Sequence, residues 1–218
     1  MRDSHKNVIM LHGWWHGDVA EIPEFLPDNP GNWMGWAKLE LEKRGYNVMN
    51  PFIRFGHQIE YEDWKKEIEK LTIDENTILV GWSAGGAFLV RWLGETKRRV
   101  KKLILVAPAK VTGIPSDLLK QDNQRALDGL TETELASNWE RFMYFKTNST
   151  ITERVKDIVV FVSDDDPWLV ESARLYTKEL KARLREIPGQ GHFTNAEREV
   201  VEFPELMEEC LKKLSGNK

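Results

Sequence analysis

The sequence predicts one α/β domain built on a mainly parallel sheet of about six strands, with helices on both faces. Short aliphatic segments recur along the chain, and stretches with a helical period separate them. No linker, internal repeat or low-complexity tract divides the 218 residues, which is close to the usual size of one domain. Strands that alternate with helices favour right-handed βαβ crossovers and a parallel sheet.

Six short aliphatic segments are predicted as strands. They are residues 8–11, 46–49, 77–80, 103–106, 158–162 and 184–187. The runs 103–106 and 158–162 are continuously apolar, which is typical of strands covered on both faces. We therefore expect buried parallel strands.

Five stretches with a helical period lie between or after these strands. They are residues 33–44, 61–71, 84–94, 169–181 and 197–214, the last of them interrupted at Pro204. A single crossover helix does not account for the 51 residues, 107–157, that separate the strands 103–106 and 158–162. The sequence therefore predicts an inserted helical cap at about 108–156.

Composition excludes several classes of function. The chain has 31 Lys and Arg against 35 Asp and Glu, a net charge of −4, which is unsuited to a dedicated nucleic-acid binder or a polybasic membrane anchor. No apolar stretch approaches the length of a membrane span, and the polar N-terminus has no signal-peptide core. Cys210 is the single cysteine, so no intramolecular disulfide can form, and a cytoplasmic protein is expected.

The motif Gly81-Trp82-Ser83-Ala84-Gly85 follows one predicted strand directly and precedes a predicted helix. This is the setting of the nucleophile elbow G-x-S-x-G, in which a sharp turn exposes a serine hydroxyl at a helix N-terminus. Ser83 is therefore the predicted nucleophile. The free amide of Ala84 is predicted to stabilise an oxyanion there.

A serine nucleophile needs a histidine base and a carboxylate that orients the base. Among the five histidines, His192 follows the last predicted strand and comes directly after Gly189-Gln190-Gly191, whose glycines would let the loop carry it to the nucleophile, so we predict it as the base. The run Asp164-Asp165-Asp166 follows the strand 158–162, and we choose Asp166 as the orienting carboxylate. The chain order Ser83, Asp166, His192 is that of the α/β-hydrolases.

The loop after the first strand is predicted to complete the site. Gly13 allows a tight turn that aims the backbone amide of Trp14 at the oxyanion. The side chains of Trp14, Trp15 and Trp82 are predicted to line the substrate pocket. No cofactor or metal is expected, since His12 and His16 have no evident third ligand and fit pocket lining or loop packing better.

These residues resemble the small α/β-hydrolases of the retinoblastoma-binding-protein type, also described as YdeN-like serine hydrolases. The similarity runs nearly end to end. It rests on Gly17-Asp18, Gly31-Asn32-Trp33, Trp36, residues 39–42, Asn50-Pro51, residues 81–85, residues 138–140, residues 163–168 and residues 191–193. The resemblance implies that the aspartate before Pro167, which is Asp166, is the triad carboxylate. Trp15 and His16 stand where relatives often have glycines.

The resemblance implies an α/β-hydrolase fold and hydrolysis of carboxylic esters. The expected partner is a small or medium acyl ester, with no nucleic acid and no membrane. Two alternatives stay open: a thioesterase or amidase that uses the same triad, and an interaction protein of this fold with weak or no turnover. A protein partner is possible in either case.

Overall fold

The computed structural model describes residues 6–14, 26–53, 60–110, 131–198 and 201–213. Its core is a six-stranded sheet in the order β2-β1-β3-β4-β5-β6, and every neighbouring pair is parallel. The strands are β1 Lys6–Leu11, β2 Tyr46–Met49, β3 Ile78–Trp82, β4 Lys102–Val106, β5 Ile158–Val162 and β6 Arg183–Glu186. The predicted parallel sheet of about six strands is confirmed.

Six α-helices and one 3-10 helix surround this sheet in the described part of the chain. They are α1 Trp33–Glu42, α2 Tyr61–Glu69, α3 Ala84–Glu95, α4 Glu132–Met143, the 3-10 helix Ser149–Glu153, α5 Pro167–Leu180 and α6 Pro204–Leu211. The strand order reverses after β2, so right-handed crossovers place α1 on one face and α3 and α5 on the other. Helix α6 packs on α1. None of these helices combines the length and apolarity that a bilayer crossing requires.

The predicted helix over residues 197–214 is wrong in its first part. Where that part is described, at residues 197–198 and 201–203, the chain is not helical, and α6 begins at Pro204. Proline suits the first helical turn because its missing N–H would have no partner there. The carboxylate of Glu197 instead accepts hydrogen bonds from backbone amides of the loop that carries His192.

The predicted cap insertion is described only from residue 131 onward. Helix α4 begins with a capping box in which the Thr131 side chain accepts from the Glu134 amide and the Glu134 side chain accepts from the Thr131 amide. This helix packs on α3, the helix that follows Ser83. Residues 111–130 lie outside the described residues, so the extent of the cap stays a prediction.

The carboxyl ends of the strands meet at one edge of the sheet, because all six strands run in the same direction. The loops after β1, β3, β5 and β6 therefore emerge side by side. The last five residues of β1 and all of β3, β4 and β5 are buried, whereas β6 forms an exposed border. A rigid apolar layer thus supports the loops that carry every predicted catalytic residue.

A buried ion-pair cluster lies at the opposite edge of the sheet. The ammonium of Lys102, a fully buried side chain, lies 3.0 Å from a Glu209 carboxylate oxygen and 2.9 Å from one of Asp157. Arg183 contacts the same two carboxylates, and Arg185 also reaches Glu209. These contacts fasten α6 to β4 and β6. Hydrogen bonds from Arg183 and Lys102 hold the pKa of Glu209 well below its usual range.

We expect Lys102→Met to lower the free energy of unfolding by about 3 kcal/mol, because Glu209 stays buried with less compensating charge. Urea unfolding followed by tryptophan fluorescence measures this difference. The folded pKa of Glu209 is depressed, so the stabilisation is present above about pH 4 and is lost as the pH falls further. The deficit should therefore shrink between pH 7 and pH 3.

The matched control is Lys43→Met, which removes an exposed pair with Glu40. Exposed pairs contribute about 0–1 kcal/mol, so this variant should unfold almost as the wild type does. Equal losses in the two variants, or a Lys102→Met deficit that is independent of pH, would contradict a stabilising role for the buried cluster.

Candidate active site

Ser83 lies at a sharp turn between β3 and α3, with φ 52° and ψ −121°. A positive φ is uncommon for a residue with a side chain and costs about 1–3 kcal/mol. The backbone around Ser83 holds it there, since its amide donates to the Val106 carbonyl at 2.9 Å and its carbonyl accepts from Gly86 at 3.0 Å. Gly85 is required by close packing, because a Cβ on it would collide with the carbonyls of His12 and Leu11.

Two backbone amides are candidates for an oxyanion hole beside Ser83. Ala84 is the first residue of α3, and its amide has no acceptor among the described residues. The loop after β1 lies directly against the nucleophile, since a Cβ on Gly13 would stand 3.0 Å from the Ser83 Cβ and 3.5 Å from its Oγ. The Trp14 amide follows immediately and likewise has no acceptor in the described ranges. Both predicted donors therefore come from segments that adjoin Ser83.

His12 fixes the shape of this loop from within the core. Its Nε2 accepts the Ile53 amide at 2.8 Å, so its Nδ1 carries the proton and donates to the Gly13 carbonyl at 2.6 Å. Burial lowers the pKa of His12 to about 4, which keeps the ring neutral near pH 7. The sequence suggested only pocket lining or packing for His12. Its position between the end of β1 and Gly13 was the available signal for this role.

His192 lies on the loop after β6, next to the residue that precedes Ser83. The indole N–H of Trp82 donates to the His192 carbonyl at 2.8 Å, and the two rings are 5.7 Å apart. Within the described residues the Nε2 atom of His192 is buried and has no hydrogen-bond partner. Burial lowers the pKa of His192, while the charges of Glu197 and Asp166 oppose that shift.

Phe193 anchors the histidine loop in the core. It is fully buried, stacks on Phe203 with ring centroids 5.4 Å apart, and accepts the indole N–H of Trp33 at its carbonyl. Its φ of 61° is an outlier for a bulky residue, and the surrounding packing offsets that strain. The neighbouring His192 is thereby held at a fixed place.

The three consecutive aspartates have separate contacts. Asp164 accepts the Gly189 amide and Asp165 accepts the Gly191 amide, so both tie the end of β5 to the histidine loop. Asp166 caps α5 by accepting the amides of its second and third residues at 3.0 and 3.1 Å. The negative charge of Asp166 raises the pKa of His192 and so opposes the effect of burial. No direct hydrogen bond joins Asp166 to His192 among the described residues.

An aromatic wall extends from the oxyanion loop across α4 to the start of α5. The ring of Trp14 lies 5.1 Å from that of Trp139 and 5.3 Å from that of Phe142. Trp139 lies in turn 6.0 Å from Trp168, two residues after Asp166. The Trp82 ring faces His192 and Trp33 instead, so its role in substrate contact stays a prediction. Trp15 and His16 lie outside the described residues.

Comparison with known sequences identifies a matching family profile and related proteins. The serine hydrolase family profile matches residues 22–210. Over 128 residues the chain is 31% identical to the AB hydrolase superfamily protein YisY of Bacillus subtilis, an alignment that covers 53% of this chain and 44% of that protein. The chain therefore spans less than half the length of this relative.

Solved structures share the fold over nearly the whole chain. The ydeN gene product of B. subtilis superposes with a TM-score of 0.71 at 21% identity, covering 95% of this chain and 100% of that one. A carboxylesterase of the thaumarchaeon Nitrososphaera gargenis superposes with a TM-score of 0.61 at 14% identity, covering 95% and 89%. At these identities the likeness concerns the fold, and the predicted α/β-hydrolase fold is confirmed.

Proposed function

Because the chain belongs to the serine hydrolase family as a YdeN-like member of the α/β-hydrolase superfamily, we propose that it cleaves small carboxylic esters through a Ser83–His192–Asp166 triad. The observation that carries this proposal is the strained Ser83 backbone, which sets the hydroxyl at the N-terminus of α3 against the Gly13 loop. A strained serine of this kind is typical of a nucleophile.

The proposed reaction begins with attack by the Ser83 hydroxyl on the ester carbonyl. His192 Nε2 accepts the hydroxyl proton and then passes it to the departing alcohol, which leaves an acyl-enzyme on Ser83. Water, deprotonated by the same nitrogen, then attacks the acyl-enzyme; the acyl–oxygen bond to Ser83 breaks, the acid is released, and the proton returns from His192 to the Ser83 oxygen. In both steps the amides of Trp14 and Ala84 would donate hydrogen bonds to the tetrahedral oxyanion.

The electrostatics of the site support these roles. The positive end of the α3 dipole favours the negative oxygen that develops beside Ala84. Burial lowers the pKa of His192, so the imidazole is unprotonated at neutral pH and available as a base. The charge of Asp166 acts in the other direction and stabilises the imidazolium that forms during attack.

The substrate class is inferred from the aromatic wall. Trp14 both lies in the oxyanion loop and packs edge-on against Trp139 and Phe142, so bulky rings occupy the space beside the reacting carbonyl. We propose that this arrangement leaves room for a short acyl group. A fold neighbour is a carboxylesterase, which agrees with an ester substrate without establishing it.

We expect the chain to hydrolyse p-nitrophenyl acetate and butyrate at least ten-fold faster than the decanoate, measured as kcat/KM below the micelle concentration. Trp14→Ala should raise the relative rate on decanoate and lower the rate on acetate a few-fold, because the amide remains but the loop is held less firmly. The preference for short acyl groups is expected because the Trp14 ring occupies volume beside Trp139, and Trp14→Ala would free that volume for a longer chain.

Leu39→Ala is the control, since Leu39 is an exposed apolar residue on α1. It should leave the acyl-length profile unchanged. A wild-type preference for long acyl chains, or a jump in rate when the substrate forms an emulsion, would show that the aromatic wall does not limit the pocket. Thioester and anilide analogues of the preferred acyl group then separate esterase from thioesterase or amidase activity.

We also propose a cytoplasmic location. The single cysteine, Cys210, is fully buried in α6, and burial raises the pKa of its thiol to about 12. A chain without any disulfide is suited to a reducing compartment.

A further inference from the structure

The carboxylate of Glu197 is bound by the loop that carries His192. A single oxygen, Oε2, accepts the His192 amide at 2.9 Å, the Thr194 hydroxyl at 2.6 Å and the Thr194 amide at 3.3 Å. The carboxylate also packs against the α-carbon of Gly191, because a Cβ there would stand 2.5 Å from the Glu197 Cδ. One acidic side chain thus fixes the backbone on both sides of the proposed base.

We propose that Glu197 is a positioning residue for His192, holding the loop backbone and placing a second negative charge beside the imidazole together with Asp166. This inference rests on the proposed function, in which His192 is the base. Glu197 touches neither Ser83 nor the aromatic wall among the described contacts, so it would act on the reaction only through His192.

The contact between the Glu197 carboxylate and the His192 amide differs from the contacts of the other acidic groups around the loop. Asp164 and Asp165 bind the amides of Gly189 and Gly191, which lie before His192. Glu197 alone binds the amide of His192 itself. Charge-assisted hydrogen bonds of this kind are short and about twice as strong as neutral ones.

The charged groups near His192 come from two segments of the chain. Asp164, Asp165 and Asp166 lie at the end of β5, and Glu197 and Arg198 lie on the histidine loop itself. The Arg198 guanidinium lies over the rings of Phe193 and Phe203, on the buried side of the loop. Of these groups, Glu197 and Asp166 are the two whose charge favours a protonated His192.

The sign of the expected pH effect follows from this arrangement. Without the Glu197 charge the imidazolium loses part of its stabilisation, and the pKa of His192 falls further. The base form of His192 is then populated at lower pH. The acidic limb of the pH profile of kcat/KM should therefore move to lower pH, while the plateau falls because the imidazole is held less firmly.

The test compares wild type with Glu197→Gln, which keeps the size of the side chain and an acceptor oxygen. We expect kcat for p-nitrophenyl acetate to fall about ten-fold with KM nearly unchanged, because a neutral amide oxygen binds the three loop donors less strongly than the charged Oε2 does and the imidazolium loses a stabilising charge. The acidic limb should move down by roughly half a pH unit or more. Asp164→Asn is the matched control, because it also removes a loop-binding carboxylate, and its acidic limb should stay in place.

A second measurement separates this inference from the esterase proposal. NMR titration of 13C-histidine protein, with the His192 signal assigned through His192→Asn, reports the pKa of His192 without turnover. A lower value in Glu197→Gln than in wild type supports the inference even if no ester is hydrolysed. An unchanged value and an unmoved limb, with only a lower melting temperature, would make Glu197 merely structural and overturn the inference.

Discussion

Ser83→Ala is expected to reduce kcat for ester hydrolysis by roughly 10⁶-fold, the order of magnitude of the loss when a serine protease loses its nucleophile. Alanine removes only the hydroxyl oxygen and keeps the Cβ, so the strained backbone at φ 52° is unaffected. The bonds that hold the turn are made by the backbone of Ser83, not by its side chain. The loss should therefore be catalytic, with a melting temperature close to that of the wild type.

Labelling with a fluorescent fluorophosphonate gives a readout that does not depend on the choice of ester. The wild type should be labelled with one equivalent, and Ser83→Ala should not be labelled. Ser149→Ala, at the exposed first residue of the 3-10 helix, is the control and should be labelled as the wild type is. Residual turnover or labelling of Ser83→Ala well above background would remove Ser83 from the proposed mechanism.

The sheet could be predicted because its strands carry their own signal. The apolar runs in β4 and β5 have no polar face, which is possible only where helices cover both sides, and these strands are indeed fully buried. The bounds of β2 and β5 coincide with those predicted. The position of Ser83 at a sharp turn could also be predicted from the sequence. The glycines of the elbow are required by backbone contacts that recur wherever a strand turns sharply into a helix.

The loop contacts could not be predicted, because they depend on how chain segments far apart in sequence face each other. The apolar spacing after residue 197 resembled a helix, yet the carboxylate of Glu197 binds the His192 backbone five residues earlier. The hydrogen bond that the Ile53 amide donates to His12 spans 41 positions. Neither contact leaves a periodic pattern in the sequence, so the sequence predicts that His192 lies on a loop but does not indicate what holds it.

The different contacts of the three consecutive aspartates are the hardest feature to derive from the sequence. Asp164, Asp165 and Asp166 are chemically equivalent until the backbone directions after β5 are known. In the structure, the first two accept hydrogen bonds from amides of the histidine loop, and the third accepts hydrogen bonds at the N-terminus of α5. The resemblance to a family with an aspartate before proline favours Asp166 as the orienting carboxylate. The effect of the Asp166 charge on the pKa of His192 supports the same assignment.

Asp166→Asn is expected to lower kcat for ester hydrolysis by about 10⁴-fold, because the imidazole loses the anion that orients it and stabilises its protonated form. Asparagine is as good an N-cap as aspartate, so the bonds to the amides of Trp168 and Leu169 can persist and α5 should stay intact. Unfolding curves should confirm nearly equal stability.

The isosteric controls Asp164→Asn and Asp165→Asn remove one charge each from the same turn and should change kcat less than ten-fold. Their carboxylates accept hydrogen bonds from loop amides, and an asparagine oxygen can accept the same bonds. If Asp165→Asn is instead the severe variant, the orienting carboxylate lies one residue earlier, and Asp166 serves only to cap the helix.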